Sequence, residues 1–237
     1  MKIESAYFSR KGQKEKNEDS VMPPLNSNGN WWSAIADGMG GRAGGSVASA
    51  AVIDTVKSSI ETQHEADISK IFFSAHNRLQ TIAKEQPGLD LMGTTLSLIR
   101  LSKDTASVGH VGDSRIYHLR SNGIVNRTVD QTEVEQLVQQ GVLSKARARR
   151  YPRRNILLSV LSATRDYDLH QETFKIREGD RLILLTDGVS SKVLRQEIRN
   201  LSLQRPSPQD FCNALAEEVE KRSPQDDYSA ICLDVKS

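Results

Sequence analysis

Apolar and polar residues alternate over residues 2–9 at the two-residue period of a half-buried strand. Asn17-Glu18-Asp19-Ser20 then leads into a second strand at Val21. Side chains of successive strand residues point to opposite faces, so of the two adjacent acids only one could reach a given cation directly. A turn over 26–30 is followed by a short apolar strand, 31–36, which runs into Asp37-Gly38-Met39-Gly40-Gly41. Helical periodicity takes over at 47–60 and 68–83; in the second helix Ile68, Ile71, Phe72, Ala75, Leu79 and Ile82 share one face. Strands are predicted at 96–101, 106–111, 115–119 and 124–129, with Gly112-Asp113-Ser114 as a turn and Asn122-Gly123 as a hairpin turn. Residues 132–140 read as a helix stopped by Gly141, after which 143–154 shows no period and contains Pro152, the mark of an exposed excursion. A nearly continuous apolar strand, 181–186, ends at Asp187-Gly188, and 209–221 is helical with Phe211, Leu215 and Val219 on one face. The last strand, 228–235, is entered through Asp226-Asp227.

Composition narrows the class without changing this picture. A chain of 237 residues that is 37% hydrophobic and 26% charged is expected to form one soluble domain, and no apolar run is long enough to cross a bilayer. The first ten residues contain no signal-peptide core, so a cytoplasmic, membrane-free protein is expected. Cys212 and Cys232 fall in a helix and a strand pattern with no CxxC or Cys/His spacing, which predicts buried thiols rather than a disulfide or a zinc site. The net charge of +2 is unevenly spread. Between Glu135 and Asp166 there is no acid, whereas Lys145, Arg147, Arg149, Arg150, Arg153, Arg154 and Arg165 all fall there. Without interleaved aromatics, in a nearly neutral chain, this reads as a solvated loop and not as a nucleic-acid surface.

The chemistry is carried by carboxylates. Asp37 sits where a buried strand gives way to glycine-rich backbone, which a ligand could approach closely enough for a carbonyl oxygen to take part. The stretch lacks the GxGxxG spacing of a dinucleotide site and the Lys-Ser/Thr ending of a P-loop. The same strand-carboxylate-glycine order recurs at Asp187-Gly188. Glu18-Asp19, Asp226-Asp227 and Asp113 are further acidic spots at strand ends or turns. If they converge, their mutual repulsion requires cations, and oxygen-only ligands select Mg²⁺ or Mn²⁺ over zinc. Any one Asp beside Gly is also an ordinary turn pair.

Taken in order, seven motifs resemble the metal-dependent Ser/Thr protein phosphatases, or protein phosphatase 2C family, in their short bacterial form. They are Asn17-Glu18-Asp19, Asp37-Gly38-Met39-Gly40-Gly41, Gly93-Thr94-Thr95, the run from Gly109 to Arg115 with Tyr117, Pro152-Arg153-Arg154-Asn155, Thr186-Asp187-Gly188 and Asp226-Asp227-Tyr228-Ser229. The resemblance implies an α+β, four-layer α/β/β/α sandwich with two central antiparallel sheets, as a single catalytic domain over 1–237 with a flap at about 141–165. It implies two tightly bound Mn²⁺ or Mg²⁺ ions: Asp37 bridges both, the carbonyl of Gly38 ligates one, and Asp187 and Asp226 hold the other. Glu18 and Asp19 act nearby, partly through water, and Asp113 matches a carboxylate that can help hold a third, weaker ion. A water of lowered pKa between the two metals would attack phosphorus in line, with no phosphoenzyme. Lys14 stands where an arginine usually grips the substrate phosphate, and keeps the charge without the two-point fork. Arg147, Arg149 and Arg150 of the flap would attract anionic phosphoproteins. Arg42, Ser46, Gln131 and Tyr151 depart from the commonest residues, as do Asp227 and Ser229. Asp226 is taken as the ligand by register. Met39 stands where some relatives carry a histidine proposed as general acid. The expected partners are phosphorylated proteins, including a cognate bacterial Ser/Thr kinase or its substrates, acted on by a monomer. The alternative is a catalytically weak or inactive relative acting as a phosphoprotein-binding regulator.

Overall fold

The computed structural model describes residues 1–39, 44–62, 66–148 and 150–236; Gly40, Gly41, Arg42 and Arg149, singled out above, lie outside the described residues. The two ends of the chain pair with each other: β1 (Lys2–Arg10) runs antiparallel to β12 (Tyr228–Lys236) from Lys2↔Lys236 to Arg10↔Tyr228. Beyond β12 come β11 (Arg181–Leu185), β7 (Arg115–Arg120) and β8 (Gly123–Asn126), completing one sheet. The second sheet has the order β10 (His170–Lys175), β6 (Thr105–Val111), β5 (Leu96–Ser102), β3 (Asn30–Met39), β4 (Gly93–Thr94) and β9 (Leu161–Ser162), with β2 (Asp19–Ser27) also paired to β3.

Strand alternation divides the core into three slabs. Leu182 and Leu184 of β11 meet Ile35, Ile99 and Val108 between the sheets. Ile183 and Leu185 face the other way, onto Phe211 and Leu215 of α7 (Pro208–Glu220) and Ile198 of α6 (Arg195–Gln204). Because both faces of β11 are covered, its sequence is continuously apolar instead of alternating. On the opposite side α1 (Gly44–Thr62) and α2 (Ile68–Glu85) lay Val52, Ile71, Phe72 and Leu79 on Leu98 and Ala34. The layers are therefore α/β/β/α, as expected. Local caps fix the helix starts: the Asp67 side chain accepts from Lys70 N, and Ser207 accepts from Asp210 N just before Pro208.

The differences from expectation have local causes. β8 ends at Asn126, not 129: Arg127 N still donates to Ile116 O at 2.8 Å, but Ile116 N donates to Thr128 Oγ1 at 3.1 Å instead of to a backbone carbonyl, which breaks the ladder. β10 and α6 were not legible: each buries one residue, Phe174 and Ile198 respectively, too few to print a period. The excursion also starts earlier than 141. It holds α3 (Glu133–Gln139) and α4 (Lys145–Ala148), neither with a buried residue. A bridge of Thr132 to Leu157 and the bond from Glu133 N to Ile156 O at 2.9 Å close its base. Ser159, Val160 and Leu161 are already buried in the body, so the end expected near 165 is about eight residues late.

Candidate active site

Strand register brings the acids together. In the β2–β3 pair Asp19 lies directly opposite Asp37, an arrangement of like charges that costs stability unless something offsets it. The Gly93-Thr94-Thr95 motif fixes Asp37 through its backbone. Asp37 N donates to Thr95 Oγ1 at 3.0 Å, while Asp37 O accepts from Thr95 N and Thr94 Oγ1, both at 2.9 Å. The sequence singled out that motif without giving it this task. After Asp37 the backbone is so close to its neighbours that a Cβ on Gly38 would collide with the Gly45 carbonyl and Glu18 O.

Asp187 opens a single helical turn, α5 (Asp187–Ser190), at the end of β11. The hydroxyl of Thr186 donates to Asp19 Oδ2 at 2.9 Å and accepts from Ser229 N at 3.1 Å. It thereby pins β11, β12 and the start of β2 to one point. A Cβ on Gly188 would strike the Asp227 carbonyl, so glycine lets the Asp187 and Asp226-Asp227 segments meet. The two final acids differ in use. Asp227 is buried and accepts from Gly12 N and Glu18 N, both at 2.8 Å, so its two oxygens hold backbone. Asp226 keeps its carboxylate at the surface, 43% exposed, with Lys14 Nζ at 2.6 Å.

The electrostatics follow from this crowding of acids. Burial pushes Asp37 well above the usual carboxylate range, and the charges of Asp19, Asp187, Asp113 and Asp226 push it further. Asp19 is pushed up to about 7, chiefly by burial and also by Asp227 and Asp187, against the hydroxyls of Ser229 and Thr186. Burial likewise raises Asp113, with Asp187 and Asp130 adding to it, and Asp187, with Asp226 adding to it. One oxygen each of Asp19 and Asp187 is buried with no hydrogen-bond partner. Unpaired buried carboxylate oxygens, all hard donors of one charge, fit Mg²⁺ or Mn²⁺. Among the described residues no three acidic, histidine or cysteine side chains close a single coordination shell; the acids line an open rim.

Lys14 completes that rim. Its ammonium lies 2.8 Å from Glu18 Oε2 and 2.6 Å from Asp226 Oδ1. Burial opposes its charge, but the bonds to Asp226 and Glu18 outweigh it and raise its pKa. Beside the rim is a cleft of about 620 Å³. Asp113, Asp187 and Arg115 line one side, Ala148, Arg154 and Asn155 of the excursion another, and Ser190, Leu194 and Arg195 the third. Arg115 is anchored by Asp130, with Nε–Oδ1 at 2.9 Å and Nη2–Oδ2 at 2.5 Å. Arg147 and Arg150 are exposed on the excursion and do not line this cleft. Arg115 and Arg195, which do, were missed: Arg195 belongs to a helix the periodicity did not reveal, and Arg115 was read only as part of a motif.

Comparison with known proteins bears on the family and the fold. A family model described as Protein phosphatase 2C matches residues 9–226. The Ser/Thr protein phosphatase PstP of Mycobacterium tuberculosis is 31% identical over 223 residues, which are 92% of this chain and 42% of PstP. The chain thus spans less than half the length of that relative. Protein phosphatase PhpP of Streptococcus pneumoniae is 29% identical over 207 residues, 84% of each protein. A crystal structure of M. tuberculosis PstP superposes with a TM-score of 0.91 at 28% identity, covering 99% of both chains. The PstP catalytic domain solved in complex with two manganese ions gives 0.86 at 28% identity and the same coverage. With its motifs in order, its four-layer sandwich and its rim of acids at one end of the sheets, the chain belongs to the protein phosphatase 2C family.

Proposed function

We propose that the chain hydrolyses phosphoserine and phosphothreonine in proteins with the help of divalent cations, Mn²⁺ or Mg²⁺. The observation that carries this is the convergence of Asp19, Asp37, Asp187 and Asp226, with buried carboxylate oxygens left unpaired. Asp37 would contact two ions, with the carbonyl of Gly38 on one and Asp187 and Asp226 on the other; Glu18 and Asp19 would act through water, and Asp113 would hold a weaker third. When bound, such ions lower the pKa of water and neutralise phosphate oxygens. Lys14 remains charged, and its two exchangeable hydrogen bonds at the rim suit it to take a phosphate oxygen. The cleft between the excursion and α6 would seat the peptide on either side of the phosphorylated residue. Its apolar lining includes Val134, Ala148 and Leu194, the last 50% exposed.

The substrates in this reading are phosphoproteins of a bacterial kinase pathway, including the kinase itself, and the enzyme works as a cytoplasmic monomer. No helix among the described residues is long and apolar enough to cross a membrane. The test is phosphate release from phosphoserine and phosphothreonine peptides with Mn²⁺ and with excess chelator. Release that stops with chelator supports the proposal; none in Mn²⁺ or Mg²⁺ by a folded protein contradicts it.

A further inference from the structure

We infer that Gln131 is a positioning residue that couples the basic excursion to the Gly112–Asp113 turn, so that the two move as one body. The N–H and C=O groups of both its amides, backbone and side-chain, are engaged. Its side-chain Oε1 accepts from Gly112 N at 2.8 Å, and its backbone N donates to Gly112 O at 2.8 Å, so it grips Gly112 on both sides. Its Nε2 donates to Asp168 O at 2.7 Å. Its backbone O accepts from Leu158 N at 2.8 Å. Thr132 begins the outgoing limb of the excursion and Leu157 ends the returning one, and the two form a bridge immediately beside Gln131. One residue therefore holds both limbs by its backbone and the neighbour of Asp113 by its side chain.

Among the described residues neither helix of the excursion buries a residue, so the contacts at its base, with Gln131 among them, carry much of its pose. Within it, Tyr151 Oη and Arg153 Nη2 both bind the Glu133 carboxylate at 2.6 Å, tying the returning limb to the start of α3. A displacement of the limbs at this base is passed through residue 131 to Gly112, and so to Asp113. That this matters for turnover rests on the reading of Asp113 as a cation ligand; the mechanical link does not.

Side-chain chemistry gives the variants. Gln131→Leu leaves Gly112 N–H and Asp168 O unpaired. Gln131→Glu can accept from Gly112 but sets a second acceptor against Asp168 O. Gln131→His, with one ring nitrogen accepting and the other donating, restores both roles. Glu133→Ala loosens the excursion without touching Gln131. The experiment is amide exchange at Gly112 in the full chain loaded with diamagnetic Mg²⁺, followed by NMR. Glu133→Ala is expected to speed Gly112 exchange on the order of ten-fold when residue 131 is Gln, and again with Gln131→His. With Gln131→Glu, which keeps an acceptor for Gly112 N–H but loses Asp168 O, the response should shrink to what the backbone bonds of residue 131 carry; Gln131→Leu, whose Gly112 N–H is already unpaired, gives the open reference rate. No transmission in the otherwise native chain, or equal transmission with Gln131→Glu, overturns the proposal. The reading of Asp113 fails separately: Mn²⁺ titration of Asp113→Ala that retains all weak-site binding would refute it while leaving the exchange result intact.

Discussion

A single carboxylate at this site is held in place against its own charge. Asp37 faces Asp19 across a strand pair and has Asp187 beyond it, so neutralising any one of them relieves the others. Asp37→Asn and Asp187→Asn should therefore each cut phosphopeptide turnover on the order of a thousand-fold. In chelator the same variants should melt at or above the temperature of the unmodified protein, as calorimetry would show. The sign of the pH dependence follows from the same repulsion. Asp19 has a folded pKa of about 7 against an ordinary value of 3.8, so between these the folded state holds more protons than the unfolded state. Stability contributed by protonated Asp19 is full below about pH 4 and is lost as pH rises through about 7. The metal-free melting temperature should fall across that window, and Asp19→Asn should flatten the fall. At this scale the sequence was informative where a strand ended in Asp-Gly, as at Asp37 and Asp187. It was silent on which acid opposes which, because register depends on pairing between distant strands. The different tasks of Asp226 and Asp227 became visible only from the two backbone N–H groups that Asp227 accepts.

Elements bring these residues to one end of the sandwich, and hydroxyls at strand ends hold them there. Thr95 accepts Asp37 N–H and shares a 2.9 Å contact with Ser114 Oγ, in a buried setting. Thr95→Val leaves that N–H unpaired and should cost about 1–3 kcal/mol in urea unfolding, with Thr95→Ser restoring most of it. Turnover should fall with Thr95→Val more than stability alone explains, since the strand end bearing Asp37 is displaced. Loss of stability with unchanged kcat in the folded fraction would mean the hydroxyl supports the fold but not the site. Elements with strong patterns could be read from sequence: β11, covered on both faces, is a continuous apolar run, and α2 prints one long face at the helical period. β10 and α6 could not, since what holds them is a neighbour's surface and not their own apolar stripe.

For the molecule as a whole, the question is what the cleft admits. The seven cations of the acid-free stretch suggest steering by the excursion, but the cleft itself is lined by Arg154 from that stretch and by Arg115 and Arg195 from the body. Arg195→Gln should raise KM for acidic phosphopeptides about two- to five-fold, the range an exposed charge contact supports, and leave a small aryl phosphate unaffected. Neutralising Arg147 and Arg150, which stand outside the cleft, should act only on encounter and should vanish at high salt. Equal effects on peptide and aryl phosphate would place Arg195 elsewhere in the mechanism. The central claim is that the rim of acids is one binuclear cation site organised on Asp37, and calorimetric titration of Mn²⁺ into chelator-stripped protein tests it most directly. Two tightly bound ions per chain in the unmodified protein, with tight binding lost in folded Asp37→Asn, are expected; equal stoichiometry and affinity in the two proteins would contradict the account.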